Sequence, residues 1–360
     1  MDAGFAADAA PVFVYSERDY NARVCRPGSA LSAFDVALRS SWTEKMRRGL
    51  FRYELGELET RVLAGPLRLV AQLNVMRGSE RRKPQEILSV RQDFDPKLFN
   101  FNHIRPEEVV FDLVREAGPS SEPCKLIINV SPLGFGHCLI VPEPARCLPQ
   151  ILTPAAIRVG VECVFLSADP GFRVGFNSMG AFASVNHLHL HAYYLSHDLA
   201  VERAPTEPVA PELGLHVLTA FPRGFLFYTE GHDLARVAGE IYRLTSHLVD
   251  RNIAHNLFVT HGCPPGTRTS GRAGVRVVVW PRRSCFGAKE EGAFNVALCE
   301  LAGHLPFKNR EDFEASTEQG VRSLIQRHLL PEEQFAHLQT QISATLLSGM
   351  AGGEQGIEYD

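Results

Sequence analysis

The segment GFNSMGAFASVNHLHLHAYYL, residues 175–195, puts His187, His189 and His191 on alternate positions, directly after a run rich in Gly, Ser and Asn. Three chemistries compete for this pattern. They are metal ligation, a strand that merely carries histidines, and attack by one imidazole helped by its neighbours. Read as a strand, the segment turns Val185, His187, His189, His191 and Tyr193 to one face and Asn186, Leu188, Leu190, Ala192 and Tyr194 to the other. Adjacent histidines then stand ~6.8 Å apart and the outer pair ~13.5 Å. One ion with bonds of ~2.1 Å reaches two of them and not the third. A single-metal site would have to import a ligand, and no metal is expected. The spacing suits a nucleophile better. His189 attacks an electrophile, while His187 and His191 hold its tautomer and bind charge on the target.

The preceding residues indicate the target. Asn177, Ser178, Gly180 and Ser184 are neutral donors or a small residue that lets backbone N–H groups approach an anion. Such a loop suits phosphoryl oxygens. Cations for a phosphate could come from Arg77, Arg81, Arg82 and Lys83, or from Arg282, Arg283, Lys289 and Lys308, although basic clusters commonly form solvated faces. Lys308 and Arg310 in PFKNRED are the further candidates. His103, His137, His255 and His261 are expected to make structural hydrogen bonds, with a place near the site left open for His137 alone. The loop CPPGTRTSGRAG, 263–274, reads as a lid or a turn.

These groups need a scaffold. KLIINVS and GHCLIVPE read as a hairpin around PLGF, residues 154–168 as a helix capped by Thr153, and 171–178 and 185–195 as two more strands. Leu31, Phe34, Leu38, Trp42 and Met46 recur at helical spacing over 30–50. After a Pro-rich linker, 204–214, the order strand, strand, helix, strand, strand returns, ending in AHNLFVTHG and GVRVVVWPR. The expected fold is α+β: duplicated strand-strand-helix-strand-strand units with antiparallel sheets and flanking helices. Only the first copy carries the histidines. The expected division is an N-terminal helical or irregular segment (1–64), a catalytic half (65–203), a degenerate second half with C-terminal helices (204–350) and a disordered tail (351–360).

The 360 residues carry a formal net charge of −4, with 45 % hydrophobic and 22 % charged residues. That is ordinary for a soluble globular chain and lacks the basic excess of a nucleic-acid binder. No apolar run approaches the ~20 residues that span a bilayer, and the acidic N-terminus does not read as a signal peptide. The eight cysteines, at 25, 124, 138, 147, 163, 263, 285 and 299, form no CxxC pair. They read as reduced packing thiols of a cytoplasmic protein.

HLHLHAY resembles the His-x-His-x-His-x-x signature of the histidine-triad superfamily of nucleotide hydrolases and transferases. INVSPLGFGHCLIVP (128–142) is similar to the hairpin upstream of that signature, with Asn129 and His137 at the matching spacing. The resemblance implies that Asn129 contacts the nucleotide ribose. A longer match, through VAQLN, FNFNHI and PFKNREDFEAST, resembles the GDP-D-glucose phosphorylases, relatives of the plant GDP-L-galactose phosphorylases and of galactose-1-phosphate uridylyltransferase. It implies GDP-glucose and inorganic phosphate as substrates, a guanylyl-histidine intermediate on His189, no cofactor, and no nucleic-acid or membrane partner. In the uridylyltransferase and the plant phosphorylases the third histidine is usually Gln. Here it is His191, as in the hydrolytic branch, so water stays open as an alternative acceptor. A nucleotide-binding sensor and a structural protein are the non-catalytic alternatives.

Overall fold

The computed structural model describes residues 10–21, 24, 30–80, 86–116, 123–267, 273–286 and 293–351. Its first part contains β1 (Val12–Tyr15), α1 (Ala33–Arg47), β2 (Thr60–Val62), β3 (Val70–Leu73), α2 (Val75–Ser79), β4 (Val109–Arg115), β5 (Cys124–Ile128), β6 (Cys138–Val141), α3 (Pro154–Leu166), β7 (Phe172–Asn177) and β8 (Leu190–Tyr194). The second part contains β9 (Thr206–Ala210), β10 (Leu215–Leu218), β11 (Phe225–Thr229), α4 (Leu234–Asp250), β12 (His255–Gly262) and β13 (Gly274–Pro281). It continues through α5 (Leu298–Ala302), β14 (His304–Phe307), α6 (Arg310–Ala315), α7 (Glu318–His328) and α8 (Glu332–Ala351).

Eleven strands form one sheet in the order β1-β4-β5-β6-β8-β7-β12-β13-β11-β10-β9. The order carries the duplication. Outward from the central β7–β12 pair, one half runs β7, β8, β6, β5, β4 and the other β12, β13, β11, β10, β9. Each half inserts its helix, α3 or α4, after its third strand. Every pairing is antiparallel except β1 with β4. The strands β7, β12 and β13 are buried along their whole length. Covered on both faces, they bury even their polar side chains, among them Arg173, His255, Asn256, His261 and Arg276.

Helices α1, α3, α4 and α8 cover one face. Thr153 caps α3 by accepting from Ala156 N–H, with Pro154 in the first turn. Helix α1 is capped by Ser32 and Asp35 and buries Phe34, Leu38 and Trp42, four residues apart. The expected Leu31 lies outside this stripe and is exposed. On the opposite face a three-stranded sheet, β14-β3-β2, packs with α5, α6 and α7 around Leu305, Phe307, Phe313 and Ile325. The pairing of β14 with β3 is parallel. It therefore delivers the residues after each strand, Arg77 and Lys308 among them, to the same end.

Two expectations need correction. The linker at 204–214 contains β9, an edge strand whose Pro208 is tolerated there because an edge leaves one side of the ladder unpaired. The strand expected over 185–195 is shortened to 190–194, for a reason found at the site itself. No helix among the described residues is long and apolar enough to cross a membrane. Arg81, Arg82, Lys83, Lys289, most of the 263–274 loop and nearly all of the expected tail lie outside the described residues.

Candidate active site

The backbone at His189 is held by a side chain from before α3. Gln150 Oε1 accepts from His189 N–H at 2.9 Å, and Gln150 Nε2 donates to the carbonyls of His189 and Asn177, each at 3.0 Å. The amide takes the place of a neighbouring strand, so ladder pairing with β6 starts only at Leu190. His187 and His189 therefore precede the paired strand, yet the three rings stay on one side: Leu188, Leu190 and Ala192 pack into the core under the helices, while Phe101 meets the rings of His187 and His189, and His189 meets His191.

Backbone groups fix the tautomer of each ring. Phe101 N–H donates to His187 Nδ1 at 3.0 Å, so His187 carries its proton on Nε2 and donates to Pro144 O at 3.2 Å. Both nitrogens of His187 are thereby used, which leaves none for a metal. His189 Nδ1 donates to the carbonyl of His187 at 2.7 Å. Its Nε2 keeps the lone pair, and no protein group among the described residues bonds it. Burial lowers the pKa of both His187 and His189 to about 4, so both rings are neutral near pH 7.

His137 completes the set. Leu133 N–H donates to His137 Nδ1 at 2.9 Å, which puts the proton on Nε2. His137 Nε2 lies 3.1 Å from His191 Nδ1 and 3.3 Å from the Asn129 amide nitrogen. Two N–H groups cannot bond each other, so the His137 proton goes to His191. His191 must then carry its own proton on Nε2. Burial is the largest cause lowering both pKa values, and Arg77 lowers both further. Trp42 of α1 donates to the His137 carbonyl at 3.2 Å. The structural role expected of His137 is thus only part of what it does. The register of β6 against β8 is what brings it to His191, and the Gly-His pair in GFGHC is the only local signal.

Two open clefts meet at these rings. The first, about 720 Å³, is lined by Phe99, Phe101, Leu139, Asn129, His189 and His191 among others. The second, about 820 Å³, is lined by Asn177, Asn295, Glu300 and Lys308 among others. Arg77, Ser184 and His191 belong to both. Arg77 is tied by its Nη1 to the Ser131 carbonyl, and Lys308 Nζ donates to Asn295 Oδ1 at 3.2 Å. Burial pushes the Glu300 carboxyl up to about 7. The second cleft thus joins two cations to a carboxyl poised between its two states, and Glu300 carries no signal in the sequence.

The other expected residues divide. Asn177 reaches the second cleft, but its Oδ1 accepts from Asn256 Nδ2 at 2.6 Å and Leu298 N–H at 3.0 Å, which leaves only its amide N–H groups for a ligand. Ser178 and Gly180 line neither cleft. They build the turn: Ser178 Oγ accepts from His255 N–H at 2.9 Å, and Gly180 adopts φ +75° under the Phe286 ring. Arg310 lies on the surface, paired with Glu59 and Glu314. Arg282 is buried, donates to the Val296 carbonyl and stacks on Phe182, so it is no solvated face. His255 and His261 are buried, and His103 lines neither cleft. Among the described residues no group of three or more His, Cys, Asp or Glu side chains is arranged to hold a metal.

Known proteins share this chain's sequence and its fold. A "GDP-D-glucose phosphorylase 1" of Danio rerio is 61 % identical over 93 % of this chain and 98 % of its own length. The Homo sapiens protein of that name is 53 % identical over 93 % and 92 %. A "GDP-L-galactose phosphorylase 1" of Arabidopsis thaliana is 30 % identical over 82 % and 70 %. The crystal structure of yeast Ap4A phosphorylase Apa2 with Ap4A superposes with a TM-score of 0.58 at 15 % identity, over 83 % of this chain and 98 % of that one, a likeness of fold. Models described as GDPGP1-like, N-terminal domain and GDPGP1-like, C-terminal domain match residues 33–193 and 200–349. Matched along most of its length, the chain belongs to the GDPGP1-like family.

Proposed function

We propose that this chain cleaves GDP-D-glucose with inorganic phosphate to give GDP and D-glucose 1-phosphate, with His189 as the nucleophile. One observation carries the reading: a neutral His189, its Nδ1 bonded and its Nε2 unprotonated and unbonded, lines the first cleft beside His191, where that cleft meets the cationic second one. The relatives' names supply the substrates.

The guanosine lies in the first cleft, with Asn129 at the ribose, and the sugar phosphate lies in the second. His189 Nε2 attacks the α-phosphorus. The bond from that phosphorus to the bridging oxygen breaks, and glucose 1-phosphate leaves with the oxygen. The imidazole becomes a cationic phosphoimidazole, whose Nδ1–H bond to the His187 carbonyl strengthens as the charge appears. His191 Nε2–H donates to the bridging oxygen, where negative charge grows. Ser184 and the Asn177 amide N–H groups donate to non-bridging oxygens. Phosphate then enters the vacated second cleft near Arg77 and Lys308, attacks the same phosphorus and releases GDP. Two in-line displacements give net retention at phosphorus.

A division into a catalytic half ending near residue 203 and a degenerate second half goes with this reading, supported by the repeated strand order and the two family matches. So does a cytoplasmic location, for which the seven described cysteines, all free, speak. The test is incubation with GDP-D-glucose, with and without phosphate. GDP formed only with phosphate is the expected result. GMP formed in both tubes contradicts it and points to water as the acceptor.

A further inference from the structure

A row of side chains crosses four strands beside the first cleft, which its members Ile127, Leu139 and His191 line. Val109 pairs with Ile127, Ile127 with Leu139, and Leu139 with His191. Three strand spacings put the Val109 end of the row ~14 Å from the His191 end. Phe101 and Val185 pack on the same row. Apolar walls of this kind hold a planar base without distinguishing one base from another, so selection must come from the few polar groups set among them.

Glu108 stands at the end of the row away from the histidines, one residue before Val109. It is the only carboxylate lining that cleft among the described residues. Its side chain is 13 % exposed. Arg105 fixes it from one side: its backbone N–H and its Nε both donate to Oε1, at 3.4 and 3.0 Å. No protein donor among the described residues bonds Oε2. The carboxylate is thus oriented by one partner and still has acceptor capacity left over.

We propose that Glu108 reads the base of the nucleotide as guanine, accepting hydrogen bonds from its N1–H and its 2-amino group. The inference rests on the phosphorolysis reading above and names the feature of the substrate that this end of the cleft selects. Guanine offers two adjacent donors on that edge, which a carboxylate takes side by side. Hypoxanthine keeps N1–H and lacks the amino group. Adenine presents a bare nitrogen at N1, which faces the carboxylate lone pair to lone pair. A site with a committed acceptor rejects a ligand that cannot pair with it far more strongly than an apolar wall rejects a wrong shape.

The test is calorimetric titration of the full chain with GDP, IDP and ADP, for the wild type and for Glu108→Gln. The wild type should bind in the order GDP, IDP, ADP. Glu108→Gln should weaken GDP about 100-fold and leave ADP within about 3-fold, so that the three converge. Equal wild-type affinity for GDP and IDP overturns the assignment without any variant. A Glu108→Gln protein that keeps the wild-type ranking, or that loses GDP and ADP alike, also overturns it. The reaction is judged separately. A wild type that does not phosphorolyse GDP-D-glucose sinks the reading of the reaction, whereas turnover with an unaltered base ranking in Glu108→Gln sinks only the role of Glu108.

Discussion

His137 and His191, 54 residues apart in the chain, are joined ring to ring by a hydrogen bond of 3.1 Å between Nε2 and Nδ1. The Leu133 N–H on the far nitrogen of His137 gives that bond its direction. His191 is thereby held as a neutral donor towards the clefts. His137→Ala should lower kcat about 100-fold, the scale of a misplaced proton donor, with KM changed by no more than a few-fold. His137→Gln should recover part of the loss, because its amide can accept from Leu133 and donate to His191. Steady-state kinetics of both variants decide the matter. Equal defects in the two variants would show that only packing was lost.

Burial holds His189 neutral down to about pH 4, where an ordinary imidazole takes up its proton near 6.5. The neutral ring is the nucleophile, so attack should fail as pH falls through the lower value. The observable is release of glucose 1-phosphate in a single turnover without phosphate, which removes the acceptor's own titration. The rate should stay flat from about pH 7 to about pH 5 and drop towards 4. A decline centred near 6.5 that persists in Glu300→Gln, which removes the cleft carboxyl titrating near 7, contradicts this.

Stability carries the same signature. His187, His189, His255 and His328 have folded pKa values of about 4. The unfolded chain binds protons at these residues below about 6.5, and the folded chain does not until about 4. Unfolding free energy should therefore fall as pH is lowered across that window and change little from this cause above it. Denaturant midpoints measured along the window test the sign.

Arg77 and Lys308 reach the second cleft from strands paired in parallel, and a Cβ on Gly78 would lie 3.2 Å from the Lys308 Cβ. Replacing either cation by Ala should raise KM for phosphate about 10- to 100-fold, the worth of one charge-assisted hydrogen bond. Arg310→Ala removes only exposed pairs with Glu59 and Glu314 and should leave KM unchanged. Initial rates at varied phosphate concentration separate the two outcomes.

Much of this arrangement was legible in the sequence, because the relevant signals are local. Ser32 and Thr153 mark helix starts, apolar runs mark the hairpin of β5 and β6, and the repeated element order announces two copies of one unit. What was not legible depends on pairing between distant segments. His137 becomes a partner of His191 only through the β6–β8 register. Glu108 reaches the nucleotide cleft only because β4 lies two strands from β6. Gln150 looks like any loop glutamine until it is seen to splint His189, and that splint is why the strand starts late. Conversely, Ser178 and Gly180 have the composition of a phosphate loop, yet their groups are consumed in forming its turn.

The central claim is a covalent bond between His189 and the nucleotide, and mass spectrometry tests it most directly. The protein is mixed with GDP-D-glucose in the absence of phosphate, quenched at alkaline pH and digested. The account predicts one guanylyl group on His189, formed as glucose 1-phosphate appears and lost as GDP when phosphate is added. Glucose 1-phosphate released with GDP under phosphate while His189 stays unmodified, or undiminished turnover by His189→Ala, would contradict it.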